Sequence, residues 1–193
     1  MVFERDPHKL YPHDKLMART IIRLVPSFVT PNTITWLRFL MIPIVLYLLL
    51  VKDYAAGVPF FILAAFSDAL DGSLARVRNQ ITDWGTFYDP LADKLLITSV
   101  VLFVVIQYIN PIFGFIILGL ELILLFGGII RKRRGQVVSA NVIGKTKMFL
   151  QFLGVTFLLV AVWSGIDLFI PFSIATLSLA IVCAVVSIIT YGL

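Results

Sequence analysis

Residues 58–76 read VPFFILAAFSDALDGSLAR, an apolar run that ends in Asp68, Asp71 and Arg76. A second apolar run, 86–109, carries its acids at the other end, with Asp89 and Asp93 in its first turns. Charge at the end of a membrane-length segment is costly and rarely accidental. Asp68 and Asp71 are three apart, Asp89 and Asp93 four apart, so on helices each pair shares one face. The short polar link 77–84 lets the second helix fold back beside the first, and four carboxylates then converge. Singly, each acid has an ordinary structural explanation: Asp68 as a cap, Asp71-Gly72 as a turn, Asp89-Pro90 as a helix start. Together, with only Arg76 and Lys94 near in sequence, they repel one another. Divalent cations resolve that repulsion, and an all-oxygen ligand set suits Mg²⁺ or Mn²⁺ better than zinc.

The pattern Asp68-x-x-Asp71-Gly72-x-x-Ala75-Arg76, then residues 77–84, then Gly85-x-x-x-Asp89-x-x-x-Asp93, resembles the complete signature of the CDP-alcohol phosphatidyltransferases. A fixed pattern of this length is far more specific than a short glycine motif. The resemblance implies transfer of a phosphatidyl group from CDP-diacylglycerol, or a CDP-linked ether lipid, to a hydroxyl acceptor, with release of CMP. It implies Asp68, Asp71 and Asp89 as ligands of two Mg²⁺ or Mn²⁺ ions. Asp93 becomes the general base, touching metal as well. Gly72, Ala75 and Gly85 are small where the cytidine diphosphate approaches the backbone, and Arg76 contacts the diphosphate. Small residues also serve helix packing, and an arginine also anchors at an interface. Asn32, Thr35 and Arg38 are similar to the family's usual entry to its first span, which adds Asn32 and Thr35 to the donor site. Arg38 either snorkels to the interface or points inward to a phosphate.

The acceptor is read from a second set of cations. Lys145 and Lys147 open a span, where positive charge opposes the helix dipole, and that cost suggests a phosphate-bearing acceptor. Gly144-Lys145-x-Lys147 and Asp89-Pro90-x-Ala92-Asp93-Lys94 resemble the phosphatidylglycerophosphate synthases of the family, whose acceptor is glycerol 3-phosphate. Arg131 joins Lys145 and Lys147 as an acceptor-phosphate residue, although the cluster 131–134 also reads as a positive-inside stop signal. Those synthases carry an Arg-Glu pair in the fourth span where Leu120-Glu121 stands here. Inositol phosphate synthases are therefore the alternative, and serine fits the lysines less well. A cation transporter is the reading from a different class. It expects charges near the midplane and matching broken helices, neither of which is visible. A catalytically silent scaffold is disfavoured by the intact acid set.

Composition places the rest. Of 193 residues, 60% are hydrophobic and 14% charged, against about 25% charged in soluble domains. The chain reads as an all-α integral membrane protein in one domain, 1–193. Its parts are a cytoplasmic tail and interfacial helix over 1–29 and a six-helix bundle over 30–193. The expected spans are about 33–51, 58–75, 86–109, 112–130, 144–163 and 168–193, each long enough for a bilayer core of about 30 Å. Asn32 or Thr33 caps the first, and Lys52, Asp53 and Gly57 form the first outer loop. Residues 14–25 mix apolar positions with Lys15, Arg19 and Arg23, an amphipathic helix on the membrane face. Lysine and arginine gather on one side, with Lys52 alone on the other, which puts both termini and all four acids at the cytoplasmic face of the cell membrane.

The net charge of +5 follows this asymmetry, and no basic face with interleaved aromatics suggests nucleic acid. His8 and His13 sit in a polar tail as solvated residues, and Cys183 has no internal partner. No cleaved signal peptide is evident at the N-terminus. A homodimer is expected from the family alone.

Overall fold

A computed structural model describes residues 12–26, 28–133 and 142–191. The expectations for His8 in the leading tail and for Arg134 in the basic cluster fall outside them. Every regular element among the described residues is helical. These are α1 (Pro12–Arg19), a 3₁₀ turn (Ile22–Leu24), α2 (Pro31–Leu50), α3 (Tyr54–Val77), α4 (Asp83–Tyr108), α5 (Pro111–Arg133), α6 (Val142–Ser164) and α7 (Phe169–Tyr191). Six of them are long and apolar enough to cross a membrane, the third over Leu91–Tyr108. Large apolar side chains such as Leu40, Tyr47, Phe115, Phe149 and Leu179 point outward, as lipid rather than water requires. The chain divides into two compact units, Met1–Leu96 and Ile97–Leu193.

In the first unit, α2 begins after Thr30, whose hydroxyl accepts from Thr33 N at 3.3 Å. The cap therefore precedes the expected Asn32 or Thr33, because Pro31 needs no amide partner in the first turn. Lys52, at φ 60°, turns the chain tightly, and Asp53 caps α3 by accepting from Ala56 N at 3.2 Å. Gly57 consequently lies inside α3 and not in the loop. A Cβ there would stand 3.1 Å from Leu49 Cδ2, so the glycine permits close approach of α2.

The lower end of α3 closes with Asn79 in the left-handed region at φ 51° and Gln80 N donating to Ala75 O at 2.9 Å. Arg78 then donates to the carbonyls of Val25, Pro26 and Val29, at 2.6, 3.2 and 2.9 Å. This ties the short link to the segment that enters α2. Thr82 caps α4, its hydroxyl accepting from Gly85 N at 3.0 Å.

The amphipathic segment is shorter than expected. The α-helix stops at Arg19, and the 3₁₀ turn continues it. Met17 and Ile22 are buried with Ile34 of α2 and Leu74 of α3, while Arg19 and Arg23 are exposed. The segment is thus docked on protein through Met17 and Ile22, with Arg19, Arg23 and Leu24 open.

In the second unit, Gly114 of α5 admits Ile106 of α4: an added Cβ would stand 2.7 Å from Ile106 Cγ1. Gly154 of α6 admits Leu177 of α7 in the same way, at 2.7 Å from Leu177 Cγ. Phe157 stacks on Phe169 with centroids 6.1 Å apart. Arg131 does not end α5, which runs on to Arg133; a basic run is compatible with helix once it leaves the apolar layer.

Candidate active site

Three helices of the first unit build the acid cluster. Thr35 and Arg38 lie one turn apart on α2, and both are fully buried. Arg38 Nε donates to Ser67 Oγ at 3.0 Å, Nη1 to Asp68 Oδ1 at 3.0 Å, and Nη2 to Asp71 Oδ2 at 2.7 Å. The Thr35 hydroxyl lies 2.6 Å from Asp89 Oδ1 on α4 and 3.3 Å from Asp71 Oδ2. Asp68 and Asp71 are thereby joined through Arg38, and Asp71 and Asp89 through Thr35. Asp93 lies one turn beyond Asp89 on α4 and is half-buried.

The acids are not left to Arg76 and Lys94, the cations near in sequence: Arg38, distant in sequence, takes ion pairs to Asp68 and Asp71. It points inward and does not snorkel, and what it meets there is carboxylate. Asp89, which precedes the apolar span of α4, is held above the ordinary carboxylate range chiefly by burial. Repulsion from Asp68 adds to this, against the hydrogen bond from Thr35 and the attraction of Arg38.

Among the described residues, no three acidic, histidine or cysteine side chains stand close enough together to hold an ion in this arrangement. The donor chemistry nevertheless fits a hard divalent cation. All candidate ligands are carboxylate oxygens, and Asp71 Oδ1 is buried with no hydrogen-bond partner. A buried, unsatisfied acceptor beside other carboxylates is an unfavourable state that a cation relieves.

Next to this cluster lies a cavity of about 180 Å³. Asn32, Gly72, Ala75, Arg76, Gly85 and Asp89 line it, all marked from sequence, together with Pro31, Gln80, Ile81 and Thr82. A neighbouring hollow of about 290 Å³ shares Pro31, Asn32 and the link residues Gln80, Ile81 and Thr82. Thr35 is set back from this cavity, among the acids. Asn32 Oδ1 accepts from Thr82 Oγ1 at 3.0 Å. A Cβ on Gly85 would stand 3.1 Å from Asn32 Oδ1, 3.2 Å from Thr82 Oγ1 and 3.3 Å from Asp89 Oδ2. A side chain at Gly85 would make those polar groups give way by a few tenths of an ångström. Gly72 faces the Arg76 guanidinium, whose Nη1 lies 3.5 Å from where its Cβ would be.

Sequence reading missed three contributors. Asp14 of α1, fully buried, accepts from Arg76 Nε and Nη2, both at 2.8 Å, and from Ser73 Oγ at 2.7 Å. Thr82 and Gln80 had no motif to flag them.

The acceptor residues lie in the second unit. Lys147 is buried and ion-paired with Glu121, whose Oε1 also accepts from Gln151 Nε2 at 2.8 Å. Lys145 is exposed, and Arg131, half-buried, donates through Nε to Gly127 O at 3.3 Å. Leu120 stands where the expected Arg-Glu pair has its arginine, and Glu121 takes its basic partner from α6 instead.

Helices of membrane length, closing acids and a cavity over glycine define a multi-pass membrane protein with a polar site at the ends of its spans. The sequence model of the CDP-alcohol phosphatidyltransferases matches residues 28–189, and the chain belongs to that family. Members of the family generally depend on divalent metal. Among its relatives is a CDP-diacylglycerol–glycerol-3-phosphate 3-phosphatidyltransferase of Bacillus subtilis (strain 168), 34% identical over 155 residues, covering 68% of this chain and 77% of the relative. A protein of the same name from Aquifex aeolicus (strain VF5) is 33% identical over 118 residues, 60% of this chain and 66% of its own length. Another, from Wigglesworthia glossinidia brevipalpis, is 31% identical over 173 residues, 83% and 91% respectively.

Proposed function

We propose that the chain transfers the phosphatidyl group of CDP-diacylglycerol to a hydroxyl of glycerol 3-phosphate, releasing CMP. The observation that carries this reading is the cavity in which Asn32, Gly72, Ala75, Arg76, Gly85 and Asp89 meet beside the buried acids. The names of the relatives supply the acceptor.

In this reading the cytidine diphosphate enters over Gly72 and Ala75, and Arg76 contacts its phosphates. Asp68, Asp71, Asp89 and Asp93 hold two Mg²⁺ or Mn²⁺ ions, which when bound neutralise the charge of the diphosphate leaving group. Asp93 takes the proton of the acceptor hydroxyl as its oxygen attacks phosphorus; the bond from that phosphorus to the CMP oxygen breaks, and CMP departs. Thr35 steadies Asp89 and Asp71 throughout. Lys145, Lys147 and Arg131 receive the acceptor phosphate, Lys147 by exchanging its bond to Glu121. The chain acts as one domain, 1–193, as a homodimer in the cell membrane, its termini and site facing the cytoplasm where glycerol 3-phosphate is found.

The test is CMP release by purified protein with CDP-diacylglycerol and Mg²⁺, with glycerol 3-phosphate, inositol phosphate, inositol and serine supplied in parallel. Release with glycerol 3-phosphate alone, lost on chelation, is the expected result. Release with inositol phosphate alone reassigns the acceptor. Folded protein that binds no CDP-lipid sinks the enzyme reading and leaves cation transport in its place.

A further inference from the structure

We propose that Asp14, on the N-terminal helix α1, is a positioning residue of the donor site that sets the Arg76 guanidinium at the edge of the cavity. The proposal rests on the reading of that cavity as the cytidine diphosphate site.

The geometry is that of a fork held from behind. Arg76 Nε and Nη2 both donate to the Asp14 carboxylate at 2.8 Å, a two-pronged contact that fixes the plane of the guanidinium. Ser73, on the same helix as Arg76, holds the same carboxylate at 2.7 Å, so Asp14 cannot swing without losing both partners. Nη1 takes part in neither of these bonds and lies along Gly72, 3.5 Å from where a Cβ would stand. Arg76 is itself a lining residue of that cavity. A long, rotamer-rich side chain at a helix end samples many positions in solution. Here one is selected before ligand arrives.

What delivers Asp14 is the docking of α1. Met17, three residues on and hence on the same helix face, is buried with Leu74 and Ile34. A carboxylate with no exposed surface is costly unless it is paired. Apolar packing offsets that cost and places the acid against Arg76. The cytoplasmic leader is thereby part of the donor site, without touching the substrate itself.

The test measures the affinity of the detergent-solubilised, full-length protein for CDP, the soluble head of the donor, in Mg²⁺. Asp14→Asn and Arg76→Gln are each expected to weaken CDP binding about tenfold, the scale of one charge-assisted contact. Because Asp14 acts through Arg76, the double variant should bind CDP no more weakly than Arg76→Gln alone. Asp14→Glu, which keeps the charge and the fork, should recover most of the affinity. In turnover, Asp14→Asn should raise the KM for CDP-diacylglycerol and leave the KM for the acceptor unchanged.

Arg76→Lys covers the case in which Asp14→Asn does not fold. It keeps the charge but not the fork, and is expected to bind CDP as poorly as Arg76→Gln. Wild-type CDP affinity in Asp14→Asn or in Arg76→Lys, or losses that multiply in the double variant, overturns the positioning role and leaves the proposed function standing. Failure of the wild-type protein to bind CDP overturns both.

Discussion

Arg38 Nη2 stands 2.7 Å from Asp71 Oδ2, on side chains only 0% and 1% exposed. A full positive charge inside a membrane-length helix is retained here by the two carboxylates it bridges, Asp71 and the more open Asp68. Breaking such a buried pair from one side is worth about 3–5 kcal/mol, because the abandoned charge stays buried. Arg38→Met is therefore expected to lower the unfolding midpoint in detergent sharply. Mg²⁺, supplying the missing counter-charge to Asp68 and Asp71, should narrow the gap to wild type. An unchanged midpoint in the absence of metal would show that Arg38 does not balance the acids.

Thr35 links α2 to α4 through one hydroxyl, 2.6 Å from Asp89 Oδ1. Valine has the same shape and no donor, so Thr35→Val isolates the hydrogen bond, worth about 1.5–3 kcal/mol to a charged acceptor. The expected outcome is weaker Mg²⁺ binding and reduced stability, with Thr35→Ser close to wild type. Isothermal titration of Mg²⁺ into the three proteins checks it. Equal affinities would remove Thr35 from the site.

The two signature glycines separate by the contacts an added methyl would meet. At Gly85 it would press on Asn32, Thr82 and Asp89 at 3.1–3.3 Å, and at Gly72 it would meet only the Arg76 guanidinium at ordinary contact distance. Alanine favours a helix over glycine by about 1 kcal/mol, so neither change is expected to lower stability much. Gly85→Ala should cost CDP affinity about tenfold by pushing apart the polar groups that line the cavity. Gly72→Ala should leave the fold intact and act only on the bound ligand, raising the KM for CDP-lipid. Similar CDP affinity in Gly85→Ala and wild type would count against a donor site at Asn32 and Asp89.

Much of this was legible because membrane spans are written in long apolar runs and the acids interrupt them at helical spacing. The six spans and the placing of the acids at their ends follow from those two facts, whereas Asn32, Gly72, Ala75, Arg76 and Gly85 of the cavity lining were marked only through the family resemblance. The helix ends were less legible. Thr30 rather than Asn32 caps α2, and Gly57 packs within α3, because capping and close approach depend on neighbours in space. The same reason hid the ion pairs. Arg38 meets Asp71, and Asp14 meets Arg76, across separations that no spacing rule reaches.

Asp93 carries the chemistry in the proposed reaction, and its role is separable from binding. Asparagine preserves shape and loses the ability to accept the acceptor's proton. Asp93→Asn is expected to abolish CMP release while CDP affinity stays within a few-fold of wild type, since the loss falls on the chemical step. Near-normal turnover in this variant would assign the base elsewhere.

Lys147 and Glu121 present the opposite case, a pair whose partners serve each other before they serve any substrate. Both are largely buried and Gln151 shares the acid, so Lys147→Ala leaves Glu121 unpaired in an apolar surround. The expected cost is again about 3–5 kcal/mol, whereas replacing both by apolar residues, Lys147→Met with Glu121→Leu, should recover most of it. Lys145 is exposed, and Lys145→Ala should move stability by no more than about 0.5 kcal/mol. If the phosphate of the acceptor docks here, Lys145→Ala raises the KM for glycerol 3-phosphate with the KM for CDP-diacylglycerol unmoved. The stable double variant should then show the same acceptor defect more strongly. Should it instead turn over glycerol 3-phosphate with an ordinary KM, Lys147 is a structural counter-ion for Glu121, and the acceptor phosphate is held by other cations.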